Sequence, residues 1–216
     1  MTRPILFGLS SSVYTRIVRL TLEEKGIDYD FEKVDVFDKK GVSSDHLLRH
    51  PFGRIPAFSD GDFNLYETSA ITRYIDEAYS GPSLQPSALK LKARMSQFIS
   101  LLDSYAYRSM IWPIFVERVS IPLSGGVANE VAIKQALPTA KLCLNAMASL
   151  IDGRSFLAGS QLTLADLHAL PMLLYFSQTP EGNKMLGRQP NLSRWLDAMK
   201  QRKSVSMILS SVGYSD

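Results

Sequence analysis

The chain is broken once, sharply, at Ser80-Gly81-Pro82-Ser83-Leu84-Gln85-Pro86-Ser87, where two prolines and a glycine fall within eight residues. Helices avoid prolines so spaced, and this composition suits a connector. On its N-terminal side, strand and helix signals alternate. On its C-terminal side almost every periodic segment is helical. The 216 residues therefore divide into an α/β domain over 1–80, a linker over 81–87 and an all-helical domain over 88–216. A chain of this length accommodates two small domains, and 45% hydrophobic residues supply a core for each.

The first half opens with Ile5-Leu6-Phe7, a short apolar run ending at Gly8 that reads as a buried strand. Ile17, Leu20 and Glu24 stand at helical spacing between Val13 and Lys25, and Gly26 is a natural stop. Tyr29, Phe31, Lys33 and Val34 to Val36 make a second strand. Pro51 to Pro56 holds too many breakers for a helix. Ala57-Phe58-Ser59 and Asp62 to Leu65 flank Asp60-Gly61, a pair that suits a type I′ hairpin turn. Ile71, Tyr74, Ile75 and Ala78 then share a helical face over 69–79. The predicted order is β-α-β, a short helix, then β-β-α.

In the second half, Leu91, Met95, Phe98, Leu102 and Tyr105 mark a long helix over about 87–111. Ile121 to Gly126 reads as a loop. Ile133, Leu137, Ala140, Leu144 and Met147 mark another helix, bent near Pro138. Thr163-x-x-Asp166 resembles a capping box opening an apolar helix through Phe176, and Asn191 is expected to cap the helix that carries Leu192, Trp195, Leu196 and Met199.

Several function classes fall away. Twenty-four Lys plus Arg against 21 Asp plus Glu leave a charge of +3. Without a basic run, that surplus gives no reason to expect nucleic acid as a partner. The longest apolar stretch, Ala169 to Phe176, is far short of the roughly 18 residues a membrane span needs, and no membrane partner is expected. The start, Met1-Thr2-Arg3-Pro4, carries no secretion signal, so a cytoplasmic protein is expected. Cys143, the one cysteine, excludes an intrachain disulfide, and three histidines leave little for zinc, so no metal is expected. His46 and His50 are spaced for one helix face, but Leu47, Leu48 and Arg49 lie between them and the Glu of a zinc protease is absent. They read as surface or supporting histidines. His168, on an apolar helix, reads as a satisfied core residue, and Cys143 as packing. Gly8-Leu9-Ser10-Ser11-Ser12 lacks the final glycine of a nucleophile elbow.

Two constellations remain. The serine run joins a strand to a helix whose first N–H groups, around Val13 and Tyr14, favour an anion; Arg16 adds positive charge one turn later, and one serine can be the cap. Arg54-Ile55-Pro56 carries a candidate cis peptide that would aim the Ile55 backbone into a cleft. Glu67-Thr68-Ser69 begins the following helix, with N–H groups and hydroxyls for a carboxylate and Glu67 for an ammonium. Together these suit an amino-acid-like ligand.

At this point the chain resembles the glutathione S-transferases. Leu6-Phe7-Gly8, Thr15-Arg16-Ile17-Val18, Leu22 to Gly26, His50 to Ala57, Leu65 to Ile75 and Leu162 to Asp166 occur in the family's order and at roughly its spacing. The resemblance implies a thioredoxin-like N-terminal domain, an all-α C-terminal domain and a homodimer. It implies a transferase that activates the thiol of its substrate glutathione as thiolate for attack on a small hydrophobic electrophile; a binding module and a glutathione-dependent isomerase are the alternatives. Ser12 matches the catalytic serine, with Ser11 as alternative. Ile55 and Pro56 would meet the cysteinyl backbone, Glu67 and Thr68 the γ-glutamyl end, and Lys39, Lys40 or His50 the glycine carboxylate. Tyr14, Tyr107, Met110, Ile111 and Phe115 are the expected electrophile walls, between the domains. Arg54, His50 and Thr68 stand where the family more often has other residues, and no cysteine lies near the site.

Overall fold

The computed structural model describes residues 3–210. Met1 and Thr2, which entered the leader argument, and the last six residues of the expected helical domain lie outside them. The chain forms two compact units. One runs to Leu84 and takes in the chain again from Arg202, and the other spans Gln85–Gln201.

The first unit is a four-stranded sheet in the order β2-β1-β3-β4. β1 (Ile5–Gly8) pairs in parallel with β2 (Asp30–Lys33) and antiparallel with β3 (Ala57–Asp60), which pairs antiparallel with β4 (Phe63–Tyr66). α1 (Val13–Lys25) joins β1 to β2, α2 (Ser44–Arg49) precedes β3, and α3 (Thr68–Ala78) follows β4. Leu6, Val18, Leu22, Phe58, Ile71 and Ile75 form a fully buried cluster where α1 and α3 pack on the central strands. A Cβ on Gly8 would stand 2.4 Å from the Thr15 hydroxyl, so only glycine lets α1 come this close to β1.

The hairpin turn falls one residue later than Asp60-Gly61. Asp60 pairs with Phe63, which leaves Gly61-Asp62 as the loop. Gly61 has φ 62° and Asp62 does not have positive φ, the II′ pattern with glycine first.

The buried pair Lys25–Asp76 ties α1 to α3: Lys25 Nζ donates to the Asp76 carboxylate at 3.2 Å and to its carbonyl at 2.9 Å. The same carboxylate accepts the Leu84 N–H at 2.8 Å and so holds the end of the connector. α11 (Lys203–Ser210) packs on α1. Val205 and Ile208 are buried, and Arg202 grips Glu24 with two hydrogen bonds of 2.7 Å. This segment groups with the first unit, whereas the sequence places it in the helical domain.

In the second unit, the expected long helix and loop are one helical run. α4 (Leu89–Leu101) passes into a π-helical stretch at Leu102–Ala106, then α5 (Tyr107–Met110), a second π stretch at Ile111–Ser120, and α6 (Ile121–Leu123). Two features widen the turns. The Ser109 hydroxyl donates back to the Tyr105 carbonyl at 2.9 Å, and Pro113 has no N–H to donate. α7 (Glu130–Ile151) carries Pro138.

α8 (Leu164–Ser177) is buried on nearly every side, as a helix at the centre of a bundle must be. Its first turn is closed by Asp166, whose carboxylate accepts the Thr163 N–H, the Thr163 hydroxyl, the Leu157 N–H and the Trp195 Nε1–H, each at 2.8 Å. α9 (Pro180–Leu186) and α10 (Pro190–Lys200) complete the unit. The cap of α10 is Gln189 and not Asn191, because Pro190 takes the first helical position.

Candidate active site

Strand register brings the serine loop, the proline loop and the start of α3 to one end of the sheet. Phe7 pairs with Ala57 and Ala57 with Tyr66. One step past this row, β1 runs into Gly8 and the serines, β3 is entered from Ile55-Pro56, and β4 leaves into Glu67. Three segments separated in sequence thus approach one another through the three paired strands.

Ser12 is the N-cap of α1: its oxygen accepts the Thr15 N–H at 3.4 Å. Of the three serines, the cap is Ser12. Its hydroxyl proton is left to donate, since a hydroxyl both donates and accepts. Arg16 does not present its charge to the site. It is 6% exposed, and its Nε–H donates to the Ser10 carbonyl at 2.9 Å, holding the loop from within. Tyr14 is half-buried.

The Ile55–Pro56 bond is cis, as the sequence indicates. Glu67 sits at φ 71°, in the region that favours glycine, and makes no side-chain cap bond to its own helix. Strained backbone of this kind, here at the bend from β4 into α3, is found among positions held for a ligand. Thr68 is buried beside it.

His50 is buried rather than on the surface, its ring 4.9 Å from Tyr66. Burial pushes its imidazole below the ordinary histidine range, against the pull of the Glu67 charge. His46 is buried too, with Nε2 2.8 Å from the Arg54 carbonyl oxygen. Lys40 is exposed in a turn where Asp38 accepts its N–H at 2.8 Å. Arg54, not assigned a contact from sequence, is an exposed cation one residue before Ile55. Its place beside the cis-proline is the signal that could have marked it.

Of the residues expected to receive an electrophile, Met110 exposes no surface and Ile111 only 5%. An atom no solvent reaches cannot wall an open pocket, so Met110 is a packing residue of the helical unit and Ile111 offers a pocket little surface. Tyr107 accepts the Trp112 Nε1–H at 3.1 Å, and Phe115 stacks on Tyr175 at 4.3 Å. His168 lies fully buried with its pKa lowered to about 3 by desolvation, and burial raises the Cys143 thiol.

A thioredoxin-like sheet with a site at this end, followed by an all-helical unit, is the architecture of a glutathione-handling class. Residues 6–83 match the family model of the glutathione S-transferase N-terminal domain and residues 104–203 that of its C-terminal domain. Glutathione S-transferase F7 of Arabidopsis thaliana is 30% identical over 206 residues, 94% of this chain and 98% of its own. The crystal structure of glutathione transferase F7 from Populus trichocarpa matches with a TM-score of 0.86 at 26% identity, covering 97% of this chain and 99% of that one. Glutathione S-transferase I bound with lactoylglutathione also matches at 0.86 and 26% identity, over 98% of this chain and 100% of that one. The chain belongs to the glutathione S-transferase family.

Proposed function

We propose that this chain is a glutathione transferase that binds glutathione at the C-terminal end of β1 and attacks a small hydrophobic electrophile with its thiolate. The observation that carries this is the register row Phe7–Ala57–Tyr66, which gathers a hydroxyl at a helix N-terminus, the backbone before a cis-proline and a strained acidic residue. Ser12 donates to the sulfur. The Ile55 backbone holds the cysteinyl unit, and Glu67 and Thr68 hold the γ-glutamyl end. The glycine carboxylate needs an accessible cation. His50, buried and held neutral, is poorly suited to that, which leaves Lys39, Lys40 and Arg54, all exposed.

The magnitudes are sufficient. Bringing a thiol from about 8.5 to about 6.5 takes roughly 2.7 kcal/mol. One hydrogen bond to a charge contributes about 1.5–3 kcal/mol and a helix N-terminus about 0.3–1 kcal/mol.

Tyr14, Tyr107 and Phe115 are the side chains offered to the electrophile. The exposed apolar Leu48 and Phe52 support a homodimer. Retention on glutathione-agarose followed by conjugation to a reactive aryl halide tests the reading. Retention without turnover across a broad electrophile panel overturns transfer, and failure to be retained overturns the site.

A further inference from the structure

His46 stands on α2 with its backbone N–H accepted by the Ser43 hydroxyl at 3.2 Å and its carbonyl accepting the His50 N–H at 2.8 Å. Its backbone is therefore anchored on both sides within the helical turn, and the residue is 1% exposed. Its Nε2 lies 2.8 Å from the Arg54 carbonyl oxygen. A carbonyl only accepts, so the proton sits on Nε2. Nδ1 is then a bare acceptor, and it is buried with no hydrogen-bond partner. Leaving a ring nitrogen unpaired carries a desolvation cost that an apolar side chain of similar size would not. Packing alone gives no reason for histidine here; the bond to Arg54 does.

The Arg54 carbonyl and the Ile55 N–H belong to one planar trans peptide, so fixing the oxygen on one side fixes the direction of the N–H on the other. We infer that His46 is a positioning residue that aims the Ile55 N–H by holding the carbonyl of the same peptide, and so sets the affinity of the site for the cysteinyl backbone of glutathione. The effect on affinity rests on the proposed function; the hold on the peptide does not. His46 touches no substrate in this role. The turn it governs also hangs from α2 through the Gly53 N–H, which donates to the His50 carbonyl at 2.9 Å.

The test compares His46→Leu, which fills the space without a donor, with His46→Gln, whose amide N–H can take the position of Nε2–H. Two measurements are made: the amide nitrogen resonance of Ile55 in the unliganded protein, which senses the hydrogen bond at the carbonyl of its own peptide, and steady-state kinetics with glutathione and an aryl halide varied separately. In His46→Leu the Ile55 resonance should move and KM for glutathione should rise about three- to tenfold, the worth of one neutral hydrogen bond. The saturated rate and KM for the aryl halide should hold. His46→Gln should return both toward wild type. Should His46→Leu not fold, His46→Asn, too short to reach the carbonyl, takes its place.

An unmoved Ile55 resonance overturns the positioning role. So does lower thermal stability and rate with KM for glutathione unchanged, the signature of packing alone. Wild-type protein that neither binds nor turns over glutathione overturns the proposed function instead, and the Ile55 resonance still decides what His46 does.

Discussion

Glu67 and Asp166 are both carboxylates at the N-terminal end of a helix, and the two units of the chain use them in opposite ways. Asp166 is fully buried and accepts four hydrogen bonds from its own fold. Glu67 is exposed, caps nothing, and sits in backbone that glycine would occupy more easily. The difference teaches how to tell a structural acid from a functional one of the same charge at the same kind of place. The structural acid spends its lone pairs inside the protein; the acid proposed to bind glutathione is exposed and held at a backbone cost.

The comparison breaks most readily at Asp166. Asp166→Ala leaves four donors without an acceptor and should cost about 3–5 kcal/mol, read from the urea midpoint, while glutathione affinity per folded molecule holds. A cost under about 1 kcal/mol would remove the acid from its structural role.

His168, two residues on, sharpens the same contrast through pH. Its folded pKa is lowered from 6.5 to about 3, so the unfolded chain binds the proton more readily and stability falls as pH drops through 6.5 toward 3. At pH 4.5 this amounts to about 2–3 kcal/mol relative to neutral pH. The wild type should therefore lose more stability than His168→Leu between pH 7 and 4.5; parallel curves would show that the histidine is not held neutral.

Glu67 should respond with the opposite sign in its two readouts. Glu67→Gly should weaken glutathione binding by about 1.5–3 kcal/mol, yet leave stability unchanged or raise it by up to about 1 kcal/mol, as the left-handed backbone is relieved. Titration calorimetry and urea unfolding on one sample decide it, and a loss of stability with intact binding reverses the assignment.

Ser12 stands between the two types, since it caps its helix and is proposed to meet the sulfur. Ser12→Ala should raise the bound thiol's pKa by about one to two units, as expected for a hydrogen bond to the thiolate. It should cost only about 0.5–1 kcal/mol in stability, the low end for a cap whose bond is long. Ser11→Ala should do neither. Thiolate absorbance against pH in both variants checks this, and a shift in Ser11→Ala alone moves the role to Ser11.

What could be read from the sequence was local. α1 has the predicted span, Val13–Lys25, and the hairpin and the Thr163–Asp166 cap lie within a residue of their signals. These depend on neighbours a few positions away. The burial of His46 and His50 was missed because it depends on β4 and the 50–56 turn folding over α2, and an i, i+4 pair reads the same on either face. Arg16 was read as a charge for the site because spacing gives its place on the helix but not the carbonyl it turns back to. The π-helical widening at Leu102–Ala106 and Ile111–Ser120 leaves the apolar pattern nearly intact, so periodicity continues where geometry changes. The docking of α11 on α1 was out of reach, since Glu24 and Arg202 are 178 residues apart.

That last contact bears on how the protein is made. The first unit needs residues from either side of the helical unit, which is inserted between them. A ribosome that has finished the sheet, α1 and α3 has not yet made the helix that covers α1, and Glu24 waits for its arginine until the whole of Gln85–Gln201 has been joined. The unit that begins first is therefore completed last. A fragment ending at the connector leaves the apolar surface under Val205 and Ile208 open to water, and a nascent chain carries that same open surface until the helical unit has been made.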